Sequence, residues 1–128
     1  ADYLWSISTG FGPHTREQWL ALTRPMLKAD AGGGFKPHYD PKIAEPFKAF
    51  GPELLAGAEA MTWRAYDAIK VPTLLLRGAD SDLLSVETAH AMTQRGPKPR
   101  LVEFAGVGHA PMLVADDQVR AVREFLLS

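Results

Sequence analysis

Residues 71–82 read VPTLLLRGADSD and residues 101–111 read LVEFAGVGHAP, and these two stretches decide the fold. Each is a short apolar run that breaks into a glycine-bearing loop, and each loop carries an ionisable side chain. The first run, Val71 through Arg77, shows no alternation and closes on Gly78. Such a run suits a strand buried on both faces, as in parallel sheets. The second alternates. Val102 and Phe104 share one face, Leu101 and Glu103 the other, and Glu103 makes that other face partly wet, as at or near a sheet edge. Between the runs, Ser85 is placed to cap a helix over residues 86–94, which Gly96 and Pro97 stop. A last helix begins near Asp116, with Val119, Val122, Phe125 and Leu126 as its expected core stripe. Strand, helix, strand, helix within residues 71–127 is the right-handed crossover unit of an open parallel sheet, an α/β architecture.

In such sheets the working residues lie just past the carboxyl ends of the strands. The loop at residues 78–82 and the loop at residues 106–111 both leave that edge, and neighbouring strands run about 5 Å apart. Asp82 and His109 are then expected to meet as an assembled pair. A carboxylate bonded to one imidazole nitrogen fixes the tautomer and stabilises the imidazolium formed when the other nitrogen takes a proton. Those are two members of a nucleophile–base–acid relay. Glycines around His109 let its loop pass tightly, and Pro111 stiffens it.

The first half reads differently, as short helices joined by irregular connections. Thr15-Arg16-Glu17-Gln18 is a capping box. Trp19, Leu20, Leu22, Thr23 and Met26 follow as an apolar stripe, which Pro25 bends or ends. Gly32-Gly33-Gly34 is a break. Pro41 and Pro46 bracket a short helical turn, and Pro52 opens a helix running to about Met61. Trp19, Phe35, Phe47, Phe50 and Trp63 read as packing residues, or as the lining of an apolar substrate pocket.

Taken together, VPTLLLRGADSDLLS (residues 71–85) and VEFAGVGHAPML (residues 102–113) resemble the C-terminal part of an α/β-hydrolase. The family's chain order is nucleophile, acid, histidine, and the last two agree here. The resemblance implies His109 as general base and Asp82 as its orienting carboxylate. Asp80 is the rival acid, but the family's acid lies three or four residues past the glycine, which favours Asp82. Residues 1–60 resemble the helical cap that such enzymes insert before the acid-bearing strand, with HYDPKIAEPF (residues 38–47) similar to cap-bearing members. The resemblance thus implies two parts, a cap or lid over residues 1–60 and the C-terminal part of the hydrolase core over residues 61–128.

The nucleophile elbow, G-x-S-x-G, is absent from the sequence. Its nearest approach, Ser6-Ile7-Ser8-Thr9-Gly10, has serine for the first glycine, and Gly12-Pro13 follows at once. Ser8 therefore lacks the strand-to-helix setting that an elbow requires. The expectation is a C-terminal fragment of a hydrolase acting on a small, largely apolar substrate, inactive alone. An ester, a carbon–carbon bond beside a ketone, an epoxide or a haloalkane all remain open. The alternative is a truncated, non-catalytic interaction or structural module. In either case the first strand lacks a sheet neighbour, so self-association is expected through its edge or by swapping cap helices.

Composition narrows the rest. The 128 residues carry 14 basic and 15 acidic side chains, net −1, which gives no footprint for nucleic acid or an acidic membrane. Without cysteine there are no disulfides, thiolate metal sites or cysteine nucleophiles, and a cytoplasmic home is favoured. Apolar runs are too short to span a bilayer. The opening Ala1-Asp2-Tyr3 shows no signal-peptide pattern and suits a processed chain or a piece of a longer one. No metal or organic cofactor is implied. His38 beside Asp40 has no second ligand at metal spacing, and His14 shares that segment. His90 reads as a helix-surface residue, and Arg77-Gly78 as a weak phosphate signal. Arg120, Arg123 and Glu124 form the solvated face of the last helix.

Overall fold

A computed structural model describes residues 2–49 and 51–128, with side chains for all of these except residues 49 and 52–56. Phe50 and the first residue lie outside the described residues. The chain divides into two compact units, one of Ala1–Ile7 with His14–Thr62, the other of Ser8–Pro13 with Trp63–Ser128.

In the first unit, helix α1 spans Asp2–Ser6 and α2 spans Arg16–Thr23. The capping box forms as the sequence suggests. Thr15 Oγ1 accepts from the Gln18 N–H at 3.2 Å, and Gln18 Oε1 accepts from the Thr15 N–H at 2.8 Å. Trp19 and Thr23, one turn apart, are buried, and Trp5 meets Trp19 edge-on with centroids 5.2 Å apart. Leu20 and Met26 are exposed, so the stripe is narrower than expected. Pro25 ends α2 rather than bending it, and a 3-10 turn Arg24–Met26 follows.

The glycine triplet is the turn of a hairpin. Strands β1 (Leu27–Ala29) and β2 (Phe35–Pro37) pair antiparallel, with Ala29 opposite Phe35. The Asp30 N–H donates to the Gly34 carbonyl at 3.1 Å. Strands of three residues show too few alternations to be read from sequence. Lys36 Nζ pairs with Asp30 Oδ1 at 2.6 Å, which holds the Asp30 carboxyl below the usual carboxylate range. A 3-10 helix Pro41–Ala49 contains Pro46 instead of ending there. Phe35 and Phe47 are exposed, so neither is the packing residue that composition suggests. Helix α3, Pro52–Asp67, runs a turn and a half past Met61.

The second unit holds the parallel pair. Strand β3 is Leu74–Gly78 and β4 is Arg100–Phe104, in a register that sets Arg77 opposite Glu103 and Gly78 opposite Phe104. Strand β3 starts three residues into the apolar run, because Pro72 has no N–H to donate to a ladder. Helix α4, Val86–Gln94, joins the strands, and Ser85 Oγ caps it by accepting from the Thr88 N–H at 3.1 Å.

Helix α5, Asp116–Leu126, packs through Gln118 and Ala121, with Val122 and Phe125 half-buried, while Val119 and Leu126 are exposed. The expected stripe is thus out of phase by one residue. Positions 118, 121, 122 and 125 follow the true i, i+3, i+4, i+7 spacing, and the reading missed it because Gln118 is polar. Phe104, Val107 and Ala121 form the core, with Leu76 and Val102 packed against them.

A second cluster ties the end of α3 to the end of α4. The Arg95 guanidinium lies 4.2 Å over the Trp63 ring, its Nε donates to Asp67 Oδ1 at 2.8 Å, and its Nη2 bonds Asp67 Oδ2. This pairing holds the Asp67 carboxyl below its ordinary range. Tyr66 Oη donates to the Met92 carbonyl at 3.0 Å. Burial, then the Asp67 charge, pushes the Tyr66 phenol up.

Candidate active site

The ladder between β3 and β4 continues past the strand ends. The Ala79 N–H donates to the Phe104 carbonyl at 2.9 Å, and the Asp80 N–H donates to the Val107 carbonyl at 2.9 Å. The acid-bearing turn and the histidine loop are therefore joined backbone to backbone. Gly78 makes this possible. A Cβ at that position would overlap the carbonyl groups of Val107 and Gly108, so the close approach excludes every side chain. His109 is the next residue.

The histidine loop is held from two further directions. The Gly108 N–H donates to the Gly10 carbonyl, and Gly12 packs against Val107. On the other side Leu113 adopts φ +56, and its N–H donates to Gln118 Oε1 at 2.9 Å. That bond explains why a glutamine, 6% exposed, faces inward from α5.

The acid turn is braced from beneath by Arg77, which is 3% exposed. Its Nε donates to the Leu84 carbonyl at 2.7 Å. Its Nη1 donates to the Ala79 carbonyl at 3.2 Å and to Glu103 Oε1 at 2.7 Å. Ser81 closes the turn internally. Its N–H donates to the Gly78 carbonyl at 3.0 Å, and its Oγ accepts from the Leu84 N–H at 3.1 Å.

The structure brings the two loops together but does not join their side chains. Among the described residues, no hydrogen bond or ion pair links Asp82 or Asp80 to His109, and all three are exposed. The assembled pair expected from sequence is not formed. Two solvated groups on exposed bends gain little from pairing. Ser8 follows helix α1 in the chain and precedes a 3-10 turn, Thr9–Phe11, so no strand leads into it and the elbow setting is missing. His90 is exposed on α4. His14 lies 6.1 Å from the Trp19 ring, centroid to centroid, and His38 is exposed.

The phosphate reading of Arg77 gains no support, since the side chain is buried and its Nε and Nη1 donors go to two carbonyls and a carboxylate. Sequence reasoning missed its bracing role. The available signal was an arginine at the end of one apolar run and a glutamate at the matching position of the next. Ser8–Pro13, read with the first half, packs with the second unit, and nothing in its composition marks that.

No family model matches the chain. Over 126 residues, 96% of its length, it is 44% identical to the 3-hydroxybutyrate-oligomer hydrolase of Cupriavidus necator, of which it covers 43%. An α/β hydrolase crystal structure from Novosphingobium aromaticivorans superimposes with a TM-score of 0.76 at 32% identity, covering 98% of this chain and 44% of that one. A structure from Rickettsia typhi, assigned provisionally to the hydrolases, gives a TM-score of 0.78 at 27% identity, covering 98% and 40%. The chain spans less than half the length of each of these relatives. Its parallel pair, its paired strand-end loops and these likenesses agree, and the fold of the chain is that of one part of an α/β-hydrolase.

Proposed function

We propose that this chain is the acid- and histidine-bearing part of an ester hydrolase, with His109 as general base and Asp82 as the carboxylate that orients it. The observation that carries this reading is the backbone union of the two loops, Asp80 N–H to Val107 carbonyl with Gly78 against Gly108. Residues 1–60 serve as the cap and residues 61–128 as the C-terminal part of the core. An ester is favoured over a carbon–carbon bond, an epoxide or a haloalkane because the Cupriavidus necator relative is named for hydrolysing 3-hydroxybutyrate oligomers. The absence of cysteine supports a cytoplasmic location.

The chemistry needs a nucleophile, by resemblance a serine hydroxyl, from outside these 128 residues. That hydroxyl attacks the ester carbonyl as His109 Nε2 or Nδ1 takes its proton. The proton then passes to the departing alcohol oxygen, leaving an acyl-enzyme. Water, deprotonated by His109, attacks the acyl carbon and releases the acid and the nucleophile. This reading requires Asp82 to reach the imidazole by side-chain rotation from the fixed turn backbone once substrate excludes water from the rim. Hydrogen bonds that are long in unliganded enzymes commonly tighten this way.

The test uses a chromogenic butyrate ester and 3-hydroxybutyrate dimer. The 128-residue chain alone gives no turnover above buffer. In the enzyme that contains it, His109→Ala lowers kcat by about 10³-fold or more. Asp82→Asn costs more than Asp80→Asn. The reverse ranking reassigns the acid, and hydrolysis of an epoxide or haloalkane but no ester removes the esterase reading.

One observation favours a second reading, a non-catalytic module that self-associates. Among the described residues β3 pairs with β4 and no other strand, so its second edge presents unpaired backbone groups. A mass independent of concentration speaks against it.

A further inference from the structure

We propose that Arg77, assisted by Glu103, is a positioning residue for the hydrolytic reaction, clamping the turn that presents Asp82; this rests on the reading of Asp82 and His109 as acid and base. The guanidinium bonds the carbonyls of residues 79 and 84, which bracket Asp82 in the chain. Its remaining bond goes to Glu103, on the strand that leads into the histidine loop. One buried cation thus fixes both ends of the acid turn and references them to the strand that bears the base.

Burying a charge for stability alone is a poor use of the site, since a well-packed apolar side chain of similar volume commonly does as well. Arg77 is almost wholly buried, whereas the Glu103 side chain is 38% exposed and can be solvated without it. The arrangement therefore serves the two carbonyls. Among the described residues no bond holds the Asp82 side chain, so its usefulness depends on where the turn puts its backbone. A lysine at 77 keeps the charge but presents a single ammonium, which cannot span two carbonyls and a carboxylate in the geometry of a planar fork.

The test is a double-mutant cycle on ester hydrolysis in the enzyme that contains this chain, with circular dichroism confirming that each variant folds. Arg77→Lys lowers kcat by about 10- to 100-fold with KM within about 2-fold, since the interaction lost is one felt in the transition state. In an Asp82→Asn background the same substitution changes kcat by less than about 3-fold, because a misplaced acid no longer matters. Should Arg77→Lys unfold the protein, Glu103→Gln replaces it in the cycle, with a loss of about 3- to 10-fold expected in the parent background alone. Equal losses in both backgrounds, or no loss from Arg77→Lys, overturn the positioning role while leaving the acid assignment intact. An Asp82→Asn variant with full activity overturns the acid assignment and this proposal with it.

Discussion

Gly78 is the residue on which the two loops depend. It ends β3, and its missing side chain is what lets the carbonyls of Val107 and Gly108 approach. Gly78→Ala must push the loops apart and weaken the Asp80-to-Val107 bond that depends on them. The expected cost is about 2–4 kcal/mol, in the range of overpacking and lost buried hydrogen bonds, read from denaturant unfolding. Unchanged stability would mean that the loops separate freely. Phe104 opposite Gly78 is the largest side chain of the second unit's buried cluster, and Phe104→Ala should cost about 3–5 kcal/mol in the same assay. A loss below 1 kcal/mol would show that the core does not depend on it.

At the scale of elements, what could be read from sequence followed how sharply each piece is bounded. Strands β3 and β4 and helix α4 were legible because each apolar run ends at glycine, proline or a capping serine. The hairpin of β1 and β2 was not, because three-residue strands leave no period to detect. Helix α5 was found but turned by one position, since a buried glutamine that satisfies the Leu113 N–H looks like a surface residue in a hydrophobicity pattern. The site followed the same rule. Strand ends located both loops, while the buried Arg77 brace was hidden inside an apolar run. Whether two exposed side chains touch is settled by solvation and rotamers, which spacing does not encode.

The junction of α3 and α4 carries an electrostatic prediction. The Asp67 carboxyl is held below its ordinary range by Arg95, so the folded state binds its proton less readily than the unfolded state. The pair's stabilisation is therefore present above the ordinary carboxylate pKa, about 4, and is lost as pH falls through the lower folded value. Both side chains are partly exposed, so salt weakens the effect. Thermal unfolding should show Asp67→Asn less stable than the parent chain at pH 7 and the two converging near pH 2. A gap that persists or widens in acid contradicts the pairing.

For the whole molecule, net charge and surface point the same way. With net −1 there is little mutual repulsion between copies, and Phe35, Ile43, Val71, Leu83 and Leu126 are exposed. Light scattering on the 128-residue chain should give a mass that rises with concentration. A single monomeric mass at the highest attainable concentration would count against self-association. No helix among the described residues is long and apolar enough to cross a membrane. The convergence of acid turn and histidine loop remains the centre of the account, and kinetics test it most directly. In the enzyme that contains this chain, kcat for ester hydrolysis is compared for His109→Ala, Asp82→Asn and the double variant. If the carboxylate acts through the imidazole, the double variant is no slower than His109→Ala by more than about 3-fold; if the two losses multiply, the residues work independently and the account is wrong.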